Sequence, residues 1–150
     1  MLDNFSKINK TKGKLPSLPF AIIKNDILGQ KYSLSLAFVG EKKSCELNNL
    51  YRKINKSTNI LSFPLDKNLG EIIICPSVVK RELKKFNKTF KELLGFLVIH
   101  GMLHLKGMQH SSRMEREEKK YYEKYFCRNR YRIHKNESCC GRIFKGRKRS

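Results

Sequence analysis

The chain lacks any apolar run of the roughly 18 residues that a membrane-spanning helix needs. Its first stretch, "MLDNFSKINKTKGK", lacks the apolar segment of a secretory signal. Both absences lead to the expectation of a soluble, cytoplasmic protein with no membrane partner. Also missing is any C-x-x-C pair. The five cysteines (Cys45, Cys75, Cys127, Cys139 and Cys140) are odd in number, so neither a disulfide framework nor a thiolate zinc knuckle is signalled, and reduced thiols are expected. Internal repeats and low-complexity tracts are absent too, and 150 residues suit one domain with a single core.

Acidic residues are scarce. Thirteen Asp and Glu stand against 33 Lys and Arg, which leaves a net charge of +20. A polyanion fits such a surface, because each cation docked on a phosphate releases counterions, and nucleic acid leads over a membrane surface. An AT-rich coding sequence would also raise Lys and Asn without selection for binding. The charge is uneven. Residues 127–150 hold nine Lys or Arg against Glu137 alone, so +12 of the +20 remains on residues 1–126. The expected organisation is a domain over 1–126 and a flexible basic tail over 127–150.

The hydrophobic pattern predicts a small α/β (α+β) fold. Ser17 is the expected cap of a helix through "LPFAIIKNDILG", with Leu18, Ile22 and Ile27/Leu28 on one side and Gly29 as its stop. Then "KYSLSLAFV" alternates as a half-buried strand, and a polar helix follows at about 42–53. Two strand-like runs come next, "NILSFPL" and the almost wholly apolar "GEIIIC". Pro76 opens a helix, Thr89-x-x-Glu92 reads as the capping box of a second ending at Gly107, and Ser112-x-x-Glu115 as that of a third. That third helix, "RMEREEKKYYEKYF", reads as a packed surface helix that mixes opposite charges with Tyr122, Tyr125 and Phe126. Overall this predicts a mixed sheet of about four strands with a cluster of helices on it.

The chemistry concentrates in "HGMLHLKGMQH", residues 100–110, which holds three of the four histidines. The helix carrying it, "FKELLGFLVIHGMLHL", is apolar on nearly every side and so is expected to be buried, with its polar groups in need of partners. His100 and His104 stand at i and i+4, where two imidazoles can share one tetrahedral cation. Gly107 lets the chain reverse and return His110 to the same point. Three imidazoles with a fourth position open is the catalytic zinc arrangement, in which coordinated water becomes a nucleophile. Gly101 occupies the place of the general-base Glu in the metalloprotease pattern H-E-x-x-H, so peptide hydrolysis lacks its proton acceptor.

The motif resembles the H-G-x-L-H-L-x-G-x-D-H signature of the YbeY endoribonuclease family. Two further blocks in the family's order strengthen the likeness: "LNNLYRKINKSTNILSFP" (47–64) and "LGEIIIC" (69–75). The resemblance implies a small α/β metalloprotein with one Zn2+ per chain on His100, His104 and His110. It also implies Arg52 as the catalytic arginine of the cleft, where a planar guanidinium can hold a phosphodiester by two hydrogen bonds. The implied activity is metal-dependent cleavage of single-stranded RNA in 16S rRNA 3′-end maturation and ribosome quality control. Its partners would be the 16S rRNA precursor and the ribosome, ribosomal proteins among them. Phe63 suits core packing or base stacking, and Thr58 and Asn59 are expected to shape the turn before it.

Two departures stand out: Gln109 where the pattern has Asp, and Glu71 where the strand has Asp. Glutamine keeps hydrogen bonding but loses the carboxylate. No carboxylate in the matched blocks is an evident general base, so attack by water and attack by the ribose 2′-hydroxyl both stay open. Rival readings are a non-catalytic rRNA-binding assembly factor with a structural metal, and a metal-dependent hydrolase of another phosphoester. Oligomeric state is not legible.

Overall fold

The computed structural model describes residues 4–126. Along them run β1 (Phe5–Asn9), α1 (Phe20–Ile27), β2 (Ser33–Phe38), α2 (Glu41–Arg52), β3 (Ile60–Asp66), β4 (Leu69–Ile74), α3 (Pro76–Phe86), α4 (Phe90–Leu105) and α5 (Ser112–Phe126). The strands form one mixed sheet in the order β1-β2-β4-β3. β1 and β4 pair parallel with β2, whereas β3 pairs antiparallel with β4 at one edge. Pro64 sits on that edge strand, where a missing N–H costs no ladder bond.

The alternation of β2 sorts the sheet into two faces. Leu34, Leu36 and Phe38 join Ile72 and Ile74 of β4 in the main core, under α1 and α4. Ala37, Ile73 and Leu61 point the other way, into a smaller cluster with Val39 that Leu47 of α2 and Phe63 help to cover. α4 is the buried centre of the larger layer, as its all-round apolar sequence requires; twelve of its sixteen residues are buried.

Several boundaries differ from the sequence pattern. β1 was not expected: "FSKIN" is short and mostly exposed, with Phe5 alone packed on the core, and parallel pairing with β2 makes it a strand. α1 begins at Phe20 without a side-chain cap, so Ser17 does not cap it. Pro19 explains this, because the residue before a proline is pushed out of helical geometry. The buried face of α1 is Phe20, Ile23, Lys24 and Ile27, with Ile22 turned outward. α5 is capped by Ser111, whose hydroxyl accepts from Met114 N–H at 3.2 Å, one residue before the expected Ser112. The Thr89 cap holds: its hydroxyl accepts from Glu92 N–H at 3.2 Å and donates to the Glu92 carboxylate at 3.0 Å. None of the described helices is long and apolar enough to cross a membrane. The basic tail and its cysteines (Cys127, Cys139 and Cys140) lie outside the described residues.

Candidate metal centre

α4 delivers the first two histidines one turn apart near its C-terminal end. Gly101 between them is what lets that turn lie close on the sheet. A Cβ there would sit 2.9 Å from Ser62 Oγ, 3.0 Å from Ile60 Cδ1 and 3.1 Å from Ile72 Cδ1. The residue that argued against protease chemistry is therefore also a packing requirement. Beyond Leu105 the chain turns through Gly107, at φ +101°, a conformation that suits glycine. Met108 N–H donates back to Leu103 C=O at 3.1 Å, and the reversal returns His110 to the helix end.

The three histidines converge as expected. One ring nitrogen from each of His100, His104 and His110 lies within 4.8 Å of the other two. Exposure rises along the series: His100 is buried, His104 half-buried and His110 exposed, so the centre opens to solvent at one side.

The partners of the ring nitrogens decide which atoms are available. His104 Nδ1 lies 3.0 Å from Met108 C=O, which can only accept, so this nitrogen carries the proton. His100 Nδ1 lies 2.5 Å from Glu118 Oε1, and Glu118 is fully buried on α5. With Nδ1 donating in both rings, the Nε2 atoms of the neutral imidazoles keep their lone pairs. These two atoms stand 3.0 Å apart. Two nitrogens that close can share a proton or, when both present lone pairs, one cation, so the donor set fits a metal ion. Burial first, and the neighbouring His100 and His110 next, push the His104 pKa down to about 4, so this ligand is neutral at physiological pH.

Glu118 is the functional residue that sequence reasoning missed. The buried face of α5 is Met114, Glu118, Tyr121 and Tyr122, a helical stripe with one carboxylate in an apolar row. That misplaced charge was the available signal. A carboxylate on the far nitrogen of a ligating histidine fixes its tautomer and raises its basicity.

Arg52 is the exposed last residue of α2, which Lys53 terminates in a left-handed conformation at φ 61°. α2 packs on the sheet face opposite α4. Arg52 forms no hydrogen bond or ion pair among the described residues, with the histidines or otherwise. Gln109 is exposed beside His110, and Glu71 is half-buried opposite Phe63 on the α2 face of the sheet. Thr58 and Asn59 shape the turn into β3: Thr58 exchanges hydrogen bonds with Ser44 at 2.9 and 3.0 Å, and Asn59 donates to Glu82 at 2.9 Å.

These features define the class: a mixed α/β domain whose three clustered histidines can hold a metal ion. The model of the family described as Endoribonuclease YbeY matches residues 7–128, and the chain belongs to that family. Among curated proteins, the Endoribonuclease YbeY of Thermodesulfovibrio yellowstonii is 46% identical over 84 residues, covering 51% of this chain and 53% of that protein. The Colwellia psychrerythraea protein of the same name is 41% identical over 93 residues, covering 57% and 60%. The chain thus spans little more than half the length of the curated relatives it matches. A solution structure from Thermotoga maritima superposes with a TM-score of 0.62 at 29% identity, covering 91% of this chain and 98% of that one.

Proposed function

We propose that this protein is a metal-dependent endoribonuclease that cuts single-stranded RNA, acting in the cytoplasm on the 16S rRNA precursor in 3′-end maturation and ribosome quality control. The observation that carries the reading is the convergence of three imidazoles, open to solvent at His110, on a strongly basic chain. The endoribonuclease activity for which its relatives are named supports the same reaction.

His100, His104 and His110 would hold one Zn2+, since three neutral imidazoles suit zinc and argue against magnesium or calcium. When bound, the cation supplies Lewis acidity toward a phosphate oxygen or a water molecule. The neutral ligands leave its charge uncancelled, which favours an anionic phosphodiester over a peptide. Glu118 holds His100 in the tautomer that presents Nε2. Being fully buried and engaged with His100, it is not placed to take a proton from substrate. We assign Arg52 to the phosphate, where its planar guanidinium would hold the oxygens as negative charge grows in the transition state. The basic surface around these groups gathers RNA and makes binding salt-dependent.

The test pairs cleavage with binding. Arg52→Ala should slow cleavage of single-stranded RNA about 100-fold or more while lowering RNA affinity only slightly. Gln109 favours one rival, a non-catalytic RNA-binding assembly factor with a structural metal, because the exposed amide cannot act as a base beside the ligands. Under that rival no cleavage above background appears in the wild type, and Arg52→Ala gives only a small salt-dependent loss of affinity.

A further inference from the structure

We infer that Tyr51, backed by Phe63, is a base-stacking platform that grips single-stranded RNA at the β3 edge, on the sheet face opposite the histidines. This rests on the endoribonuclease reading and names the subsite that would hold the strand.

Large apolar side chains are mostly covered here, yet several that remain exposed belong to one region. Leu50 and Tyr51 lie in the last turn of α2, Ile54 follows in the next loop, and Leu65 lies on β3; the first two are 65% and 61% exposed. The Tyr51 ring lies 4.7 Å, centroid to centroid, from that of Phe63, tilted by 51°. Phe63 is itself packed on the cluster of Ala37, Val39, Leu61 and Ile73. One side of Tyr51 is therefore braced against a ring seated on the core, while most of its surface faces solvent.

The surroundings say what this surface fits. Residues 47–65 contain Arg52, Lys53 and Lys56 and no Asp or Glu. Glu71, opposite Phe63 on β4, bounds the platform on its inner side, so phosphates belong toward the α2 end and its cations. The loop is held in place, with Asn48 Nδ2 donating to Lys56 C=O at 2.8 Å and Ser44 bound to Thr58. A fixed aromatic beside an uncompensated basic loop is how proteins hold single-stranded nucleic acid, because every base has a π-face to stack. A purely apolar protein partner would gain nothing from those cations.

The platform and the metal centre border the same strand, β3. Phe63 follows Ser62 on β3, and Ser62 Oγ borders Gly101, the neighbour of His100. Alternate residues of a strand point to opposite faces, so a strand of RNA crossing the β3 edge passes from Tyr51 toward the histidines.

Fluorescence anisotropy with the full chain and an end-labelled, unstructured single-stranded RNA of about 12 nucleotides tests this, with duplex RNA of the same length as control. Tyr51→Ala should weaken single-strand binding about tenfold, and Tyr51→Phe should restore it to within about twofold. Duplex affinity and the salt slope should not change, since no cation is lost and duplex bases are already stacked. Tyr51 is exposed, and matching melting temperatures would show that the variants fold. Single-strand binding by Tyr51→Ala equal to wild type overturns the platform, as does an equal loss on duplex. If the wild type binds and cuts single-stranded RNA while Tyr51→Ala does both as well, the platform alone falls. If the wild type does neither, the endoribonuclease reading falls with it.

Discussion

A buried carboxylate is costly unless its charge is used, and Glu118 spends its charge on His100 Nδ1 at 2.5 Å. Replacing it by Gln keeps an accepting oxygen but removes the charge that makes the imidazole a better ligand. Glu118→Gln should weaken metal binding about 10- to 100-fold in a competition titration against a chelator, with the fold retained. An unchanged affinity would reduce Glu118 to a packing residue. His104 makes a second prediction. Its pKa is pushed from 6.5 down to about 4 by burial and by the other two histidines. Between those values the unfolded chain binds the proton and the folded one does not, so this group's contribution is complete above pH 6.5 and lost as pH falls through about 4. The metal-free chain should therefore lose denaturant resistance on acidification across that window, and His104→Gln should flatten the dependence. Of these residues, the three histidines were legible because eleven consecutive positions contain all of them. Glu118 was not, because its partner lies eighteen residues away across a helix packing that spacing alone does not reveal.

At the scale of elements, α4 ties fold and site together, and Gly101 is where they compete. Alanine would gain about 1 kcal/mol in helix propensity. Its Cβ would also press Ser62, Ile60 and Ile72, and overpacking of that kind costs about 1–3 kcal/mol. Gly101→Ala should be destabilised by about 1 kcal/mol in urea unfolding, with weaker metal binding as the histidine-bearing turn moves off the sheet. A stabilised variant would show that the sheet yields at this point. The buried strands, the Thr89 cap and the reversal at Gly107 were readable, since each rests on local pattern or turn chemistry. β1 was not: its polar residues acquire strand geometry from pairing with β2, a tertiary effect that outweighs local preference. α1 and α5 each started at a residue other than the one expected, because Pro19 and Ser111 compete with nearby serines for the same end.

Taken as a whole molecule, the chain is strongly basic and gathers three histidines that could hold a metal ion. The family was legible from three blocks in order, and the match over residues 7–128 agrees with them. What the blocks could not convey is their distribution around the sheet. The histidines lie under one face, while α2, which ends with Tyr51 and Arg52, packs on the other, and the antiparallel edge strand β3 contributes residues to both sides. Everything proposed for RNA depends on the metal centre being real. The most direct measurement is elemental analysis of the purified full chain beside His110→Ala, the variant that removes the exposed histidine and leaves His100 and His104 in place. The account predicts about one zinc per chain in the wild type and its loss or strong weakening in the variant. No bound metal in the wild type, or metal held equally well without His110, would contradict it.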